Sequence, residues 1–385
     1  MTVRRRPAWK LLLAAGAVFF LLSLLWVWKL HLDANRILER GCEEGRRLER
    51  GFLTDPQRPP LLGEGEAGDA WDVYAEAAAA FRQVIEDKKY YDSNDPAEPG
   101  FDPLRRGARR RAVSFREERP EFPALRSLLT VVNGRAASLH RAGRDRDALE
   151  RIRLVLAVVR DLELHGRHPR EIADVEMDAH DMTFFVLEAH ALEAADLREH
   201  AAFLDRLEER RPDLLPAIRF ALDRGPELRK PPGWRHFFSD MLQQAAWAQD
   251  ADGAYTVAKS FVAPVEGRLQ AIEGRIASGR AGTVEEIFMI DAARRMYARL
   301  ARIGVELAAH EREQGRFPDS LPPGLLRCPY GGRPLVYRPA EGLVYSQGFD
   351  GVDDGGKVIV PDWAHWPHLR YQAKGDLVVR VARKR

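Results

Sequence analysis

The sequence predicts a mainly α protein with an N-terminal transmembrane helix, a region of helical hairpins, and a small antiparallel β module at the C-terminus. Three observations carry this expectation. An unbroken apolar run extends from Leu11 to Trp28; apolar residues then recur at three- and four-residue spacing across most of residues 67–314; and the composition changes at Gly315. Beyond Gly315, Gly, Pro, aromatic and β-branched residues replace Ala, Glu and Leu, the pattern of short strands between turns.

The apolar run holds 18 residues, of which only Ser23 is polar. At about 1.5 Å per residue it is roughly 27 Å long, close to the hydrocarbon core of a bilayer. Trp9 lies at one end and Trp26 and Trp28 at the other, where amphipathic rings prefer the interface. A cleaved signal peptide is the competing reading, because Arg4, Arg5, Arg6 and Lys10 form a basic leading segment. Leu32 stands where a cleavage site wants a small side chain, which favours an uncleaved anchor. The expected topology is a cytoplasmic tail over residues 1–10, an anchor over 11–28, a stalk and linker over 29–66, and a periplasmic remainder. That describes a single-pass protein of a bacterial inner membrane.

Sixty basic against 58 acidic residues leave a net charge of +2, which argues against nucleic acid as a partner. Arginine far outnumbers lysine, as expected of a GC-rich coding bias. Two cysteines, Cys42 and Cys328, exclude a disulfide framework or a cysteine metal centre and leave room for one long-range bridge.

Within residues 67–314 the helical pattern begins at Ala67–Lys89, with Trp71, Tyr74, Ala78, Phe81 and Ile85 on one face. Residues 90–111 read as a loop carrying a basic cluster at Arg105, Arg106, Arg109, Arg110 and Arg111, most simply a solvated surface. Helices resume from Phe122 to Arg224, with breaks near Gly143, Gly166, Ala195 and Pro212, and again over 234–249, 256–278 and 283–314. Gly143 to Leu149, followed by Leu154, Leu156 and Val158, resembles half of a tetratricopeptide unit, which implies stacked helix pairs. Runs at Leu335, Leu343, Val358 and Leu377 read as strands in a module spanning 315–385.

The most specific pattern lies in that module: Gly315-Arg-Phe-Pro, then Val344-Tyr-Ser-Gln-Gly-Phe-Asp-Gly-Val-Asp-Asp-Gly-Gly, then Gly375-Asp-Leu-Val. It resembles the C-terminal module of type II secretion major pseudopilins, in which a long helix ends in a similar turn and a small sheet carries a calcium-binding loop. The resemblance implies Asp350, Asp353, Asp354 and Asp376 as metal positions and Ca²⁺ as the ion. Oxygen-only ligands on a glycine-permitted turn suit that ion. Read without the resemblance, the same Asp-Gly and Gly-Gly steps also serve a hairpin turn with no ion. The chain departs from the family in lacking a prepilin processing site and in the long helical region that precedes the module. As a whole it looks like uncharacterised envelope proteins of planctomycete or myxobacterial type.

Glu176 and His180, four apart on an expected helix, read as a surface pair, since the spacing needed for a carboxylate-bridged metal bundle does not recur. Asp362-Trp-Ala-His-Trp-Pro-His is an aromatic contact patch or a cover for the sheet. No nucleophile elbow, phosphate-cradling loop or zinc signature is present, so no catalytic residue is assigned. The expected function is that of a membrane-anchored extracytoplasmic scaffold acting through other envelope proteins, in secretion or envelope assembly. An anchored metal-dependent hydrolase, using a metal near Asp350 or at Glu176 and His180, is the alternative.

Overall fold

The computed structural model describes residues 61–62, 66–86, 100–112, 122–164, 169–187, 191–211, 283–328, 334–347, 352–357 and 376–381, together with Leu22, Leu25, Trp26, Trp28, Lys29 and Leu32. The chain divides into one unit formed by Met1–Leu48 and Ile218–Ala263 and a second formed by Glu49–Ala217 and Pro264–Arg385. In the first unit the six described residues are helical and exposed.

A short parallel pair, β1 (Glu66–Asp69) with β2 (Arg110–Ala112), brackets α1 (Ala70–Glu86) and α2 (Phe101–Gly107). The Asp69 carboxylate accepts the Trp71 backbone N–H at 2.9 Å, satisfying a donor that the start of α1 leaves free. Trp71, Tyr74, Ala78 and Phe81 are all buried, as their spacing requires. The expected loop over 90–111 is corrected at its end, where α2 and β2 form. Within the basic cluster, Arg106 pairs with Glu76 at 2.6 Å and Arg105 with Glu150 at 3.1 Å.

Four helices follow: α3 (Phe122–Arg141), α4 (Asp145–Leu164), α5 (Pro169–Leu187) and α6 (Ala194–Glu209). Only residues 142–144 join α3 to α4, so the two helices lie antiparallel. Along α3 the buried residues Phe122, Leu125, Leu128, Leu129, Val132 and Ala136 form one stripe. On α4, Leu154 to Arg160 are all buried, so this helix is covered on every side. It packs against α2, α3, α5 and α6. The final helix, α7 (Thr283–Gln314), lies against α5 and α6.

The chain then forms an antiparallel sheet in the order β3 (Val336–Arg338), β4 (Leu343–Ser346), β5 (Leu377–Arg380). Both β4 and β5 pack on α7. The close approach requires Gly304: a Cβ there would stand 2.9 Å from Val379 Cγ2 and 3.1 Å from Leu187 Cδ1. The mainly α architecture with a small C-terminal sheet is therefore present. The expected strand at 358–360 and the helices expected over 234–249 and 256–278 lie outside the described residues.

The expected transmembrane helix is corrected. Among the described residues no helix is long and apolar enough to cross a membrane. The longest, α7, carries Asp291, Arg294, Arg295, Arg299, Arg302, Glu306 and Glu311 along 32 residues, and one such charge at mid-bilayer costs about 2.5–3.5 kcal/mol or more. The single-pass anchor thus has no support in the structure. The inner-membrane location, the periplasmic placement of the C-terminal region, and the membrane and envelope proteins as partners go with it. Most of residues 11–28, the tail 1–10 and nearly all of the stalk lie outside the described residues.

Candidate functional site

Two places concentrate chemistry: the acidic turn beside the sheet and a charged cluster inside the helical bundle. In the acidic turn, Gly355 and Gly356 both adopt positive φ, +74° and +77°, a conformation that side chains other than glycine rarely take. This bends the chain between Asp353 and Lys357 back toward the start of β5. The exposed Asp353 carboxylate accepts the Tyr345 hydroxyl at 3.1 Å and the Gly355 N–H at 2.9 Å through Oδ1. Asp376, immediately before β5, is 1% exposed. Its backbone N–H donates to Lys357 O at 3.1 Å, and its Oδ2 accepts the Gly356 N–H at 2.7 Å. The other oxygen, Oδ1, is buried without a hydrogen-bond partner among the described residues.

Burial raises the Asp376 carboxyl above its ordinary range, and the negative charges of Asp353 and Asp354 add to the rise. The backbone N–H groups of Gly356 and Asp354 oppose it. Three of the four expected metal positions therefore lie on or beside one turn, and burial together with the neighbouring charges works against ionisation of the most buried of them. The fourth, Asp350, lies outside the described residues. Among the described residues no three histidine, cysteine, aspartate or glutamate side chains stand close enough to hold a metal ion.

The second place was not legible as a site. Glu176 on α5 is 1% exposed and His180 is fully buried, so the expected surface pair is corrected to a core pair. The Glu176 carboxylate receives Arg294 Nε from α7 at 2.5 Å, Arg211 Nη2 from just beyond α6 at 2.9 Å, and Arg160 Nη2 from α4 at 3.3 Å. Glu163 pairs with Arg160 and lies 2.9 Å from Arg294. Burial alone would push the Glu176 carboxyl up, but the charges of Arg294, Arg211 and Arg160 outweigh it and hold the group well below the usual carboxylate range. At the edge of the cluster Arg211 also reaches Glu208, and Asp291 takes Arg295.

These ion pairs leave Glu176 and Glu163 committed to arginines, and His180 lies 3.9 Å from Glu176, beyond hydrogen-bond reach. The metal-dependent hydrolase is accordingly corrected: neither centre assembles a metal-ligand set among the described residues. The anchored scaffold falls with its anchor. The one sequence signal for the cluster is Arg160, a charge set directly after the all-buried run Leu154 to Val159. Arg211 and Arg294 carry no comparable signal.

A third arrangement links α1 to α4. The fully buried Tyr74 donates its hydroxyl to Asp161 Oδ2 at 2.5 Å. Desolvation pushes the Asp161 carboxyl up to about 7, and the Tyr74 hydrogen bond and nearby arginines only partly counter it. Elsewhere the Cys328 thiol is buried, 3.9 Å from the Ser346 hydroxyl. Cys42 and the aromatic segment 362–368 lie outside the described residues.

Fold and sites together define an α-helical bundle with charged groups in its core and a three-stranded antiparallel sheet docked on its last helix. Comparison with family models, curated proteins and solved structures finds no match.

Proposed function

We propose that this chain is a calcium-binding protein whose ion site is the acidic turn between β4 and β5, and whose role is binding rather than catalysis. The observation that supports the reading is the buried Asp376 carboxylate, one oxygen without a partner, beside the charges of Asp353 and Asp354. A divalent cation relieves both the desolvation of Asp376 and the repulsion among the three carboxylates. Calcium fits this chemistry because it takes six to eight oxygen ligands in flexible geometry, and backbone carbonyls and water complete what side chains leave open. The resemblance of this turn to the pseudopilin calcium loop points the same way and adds Asp350 to the set. Since no three described acidic side chains converge as they stand, ion binding draws the carboxylates of the turn closer together.

The test is calcium titration of the full chain, with thermal unfolding in calcium and in excess chelator, for the native sequence and for Asp376→Asn. The expected outcome is a melting temperature raised by calcium in the native sequence and indifferent to it in the variant. An equal shift in both, or no shift in either, reduces Asp353, Asp354 and Asp376 to turn geometry and ends the proposal.

A further inference from the structure

His180 on α5 and His200 on α6 are both fully buried in the bundle, yet three of their four ring nitrogens have no hydrogen-bond partner among the described residues. The exception is His200 Nδ1, which accepts Arg153 Nε from α4 at 3.2 Å. That bond requires Nδ1 to be unprotonated, so the neutral ring carries its proton on Nε2. A second proton on His200 must displace Arg153 and place two positive charges in contact. His180 has Glu176 as its nearest carboxylate, but that group already serves three arginines.

We propose that His180 and His200 form an acid-sensitive latch, which holds α5 and α6 against α4 and α7 while both rings are neutral and releases them when the rings take up protons. Every neighbouring element contributes to the balance. From α4 come Arg153, Arg160 and Glu163; from α5, Glu176; from α6, the exposed Glu199 paired to Arg153; from the chain beyond α6, Arg211; and from α7, Arg294 and Arg302. Helix α3 also packs on α5, and its Arg126 and His140 are paired with Asp174 and Asp145. The positive groups facing the rings thus outnumber carboxylates with capacity to spare. Burial first, and then Arg153, His180 and Arg302, hold the His200 ring well below the ordinary imidazole range. Burial lowers His180 as well, with Arg211 and Arg160 assisting and Glu176 opposing.

The sign follows by linkage. A histidine kept neutral in the closed bundle takes up a proton in the open one near its ordinary value of 6.5, so the latch is fully closed above that pH and loses hold as the pH falls through it. Between pH 7.5 and 5.5 each ring that stays neutral when closed shifts the opening equilibrium about tenfold, and two rings about a hundredfold.

Amide exchange of the full chain at pH 7.5 and 5.5, corrected for intrinsic rates, tests this for the native sequence, His180→Gln, His200→Gln and the double variant. Glutamine keeps an acceptor for Arg153 and does not titrate. The expected result is an opening constant for α5 and α6 that rises about a hundredfold on acidification, by about tenfold less in each single variant, and hardly at all in the double variant. A rise that persists in the double variant, or one that is equal in α3, overturns the latch. Should the variants fail to fold, imidazole proton shifts of the native chain decide. Rings that stay neutral to pH 5.5 in the closed state support the latch, and rings that titrate near 6.5 with α5 and α6 still protected overturn it.

Discussion

At the scale of single residues, burial decides what each ionisable group does. Glu176 and Asp161 both lie within the bundle and are driven in opposite directions, because Glu176 has three guanidiniums and Asp161 has chiefly one hydroxyl. Glu176→Gln keeps the shape but removes the charge on which Arg160, Arg211 and Arg294 converge. Removing one partner from a buried ion cluster costs about 3–5 kcal/mol, and urea denaturation at pH 7 is expected to show a loss of that size. For Asp161 the sign is reversed from the usual carboxylate. Its folded value of about 7 exceeds its ordinary 3.8, so the folded chain binds the extra proton between those limits. The resulting stability is present at low pH and is lost as pH rises from about 4 to 7. Asp161→Asn, which still accepts from Tyr74, is expected to gain on the native sequence across that interval in paired denaturation curves. A constant difference across the interval contradicts the assignment.

At the scale of elements, the seam between α6 and α7 and the docking of the sheet rest on different physics. Arg198 pairs with Glu306 and Glu313, and Arg302 with Asp205 and Glu306, along the half-exposed border of the seam. Pairs of this kind contribute at most about 1 kcal/mol each, so they set register more than strength. The sheet instead depends on a missing side chain. Gly304→Val puts methyl groups where Val379 and Leu187 already stand, and overpacking of this kind costs about 1–3 kcal/mol. The expected signature is faster amide exchange across β4 and β5 together with a lower denaturation midpoint. Protection unchanged in both strands means that the sheet does not depend on this contact.

At the scale of the whole molecule, the two proposals rest on different parts of the second unit, the acidic turn beside the sheet and the interior of the helical bundle. The acidic turn adjoins β5, which packs on α7 near Gly304, while the histidines lie where α5 and α6 meet α7 and α4. A calcium effect confined to the acidic turn and an acid effect confined to α5 and α6 are therefore separable in one exchange map. Much of this architecture was legible beforehand. The stripe of Trp71, Tyr74, Ala78 and Phe81, the helix over Thr283–Gln314 and the runs beginning at Leu335, Leu343 and Leu377 follow from period and composition alone. Helix α2 and strands β1 and β2 were not, because they are short and held by tertiary contacts, α2 against α1 and α4 and the two strands against each other.

Sequence by itself determined where the long helices and the C-terminal strands among the described residues lie, since periodicity records which face of each segment is apolar. The resemblance to the pseudopilin module, carried by the Asp-Gly-rich stretch after Tyr345, grouped Asp350, Asp353, Asp354 and Asp376. Sequence did not place Glu176 and His180 in the core, nor join Arg160, Arg211 and Arg294 around one carboxylate, because those residues are far apart in the chain and their charges read as surface. Only tertiary structure decided these points. A charged side chain is stable in the interior only when others meet it there, and which ones meet is settled by how α4, α5, α6 and α7 pack.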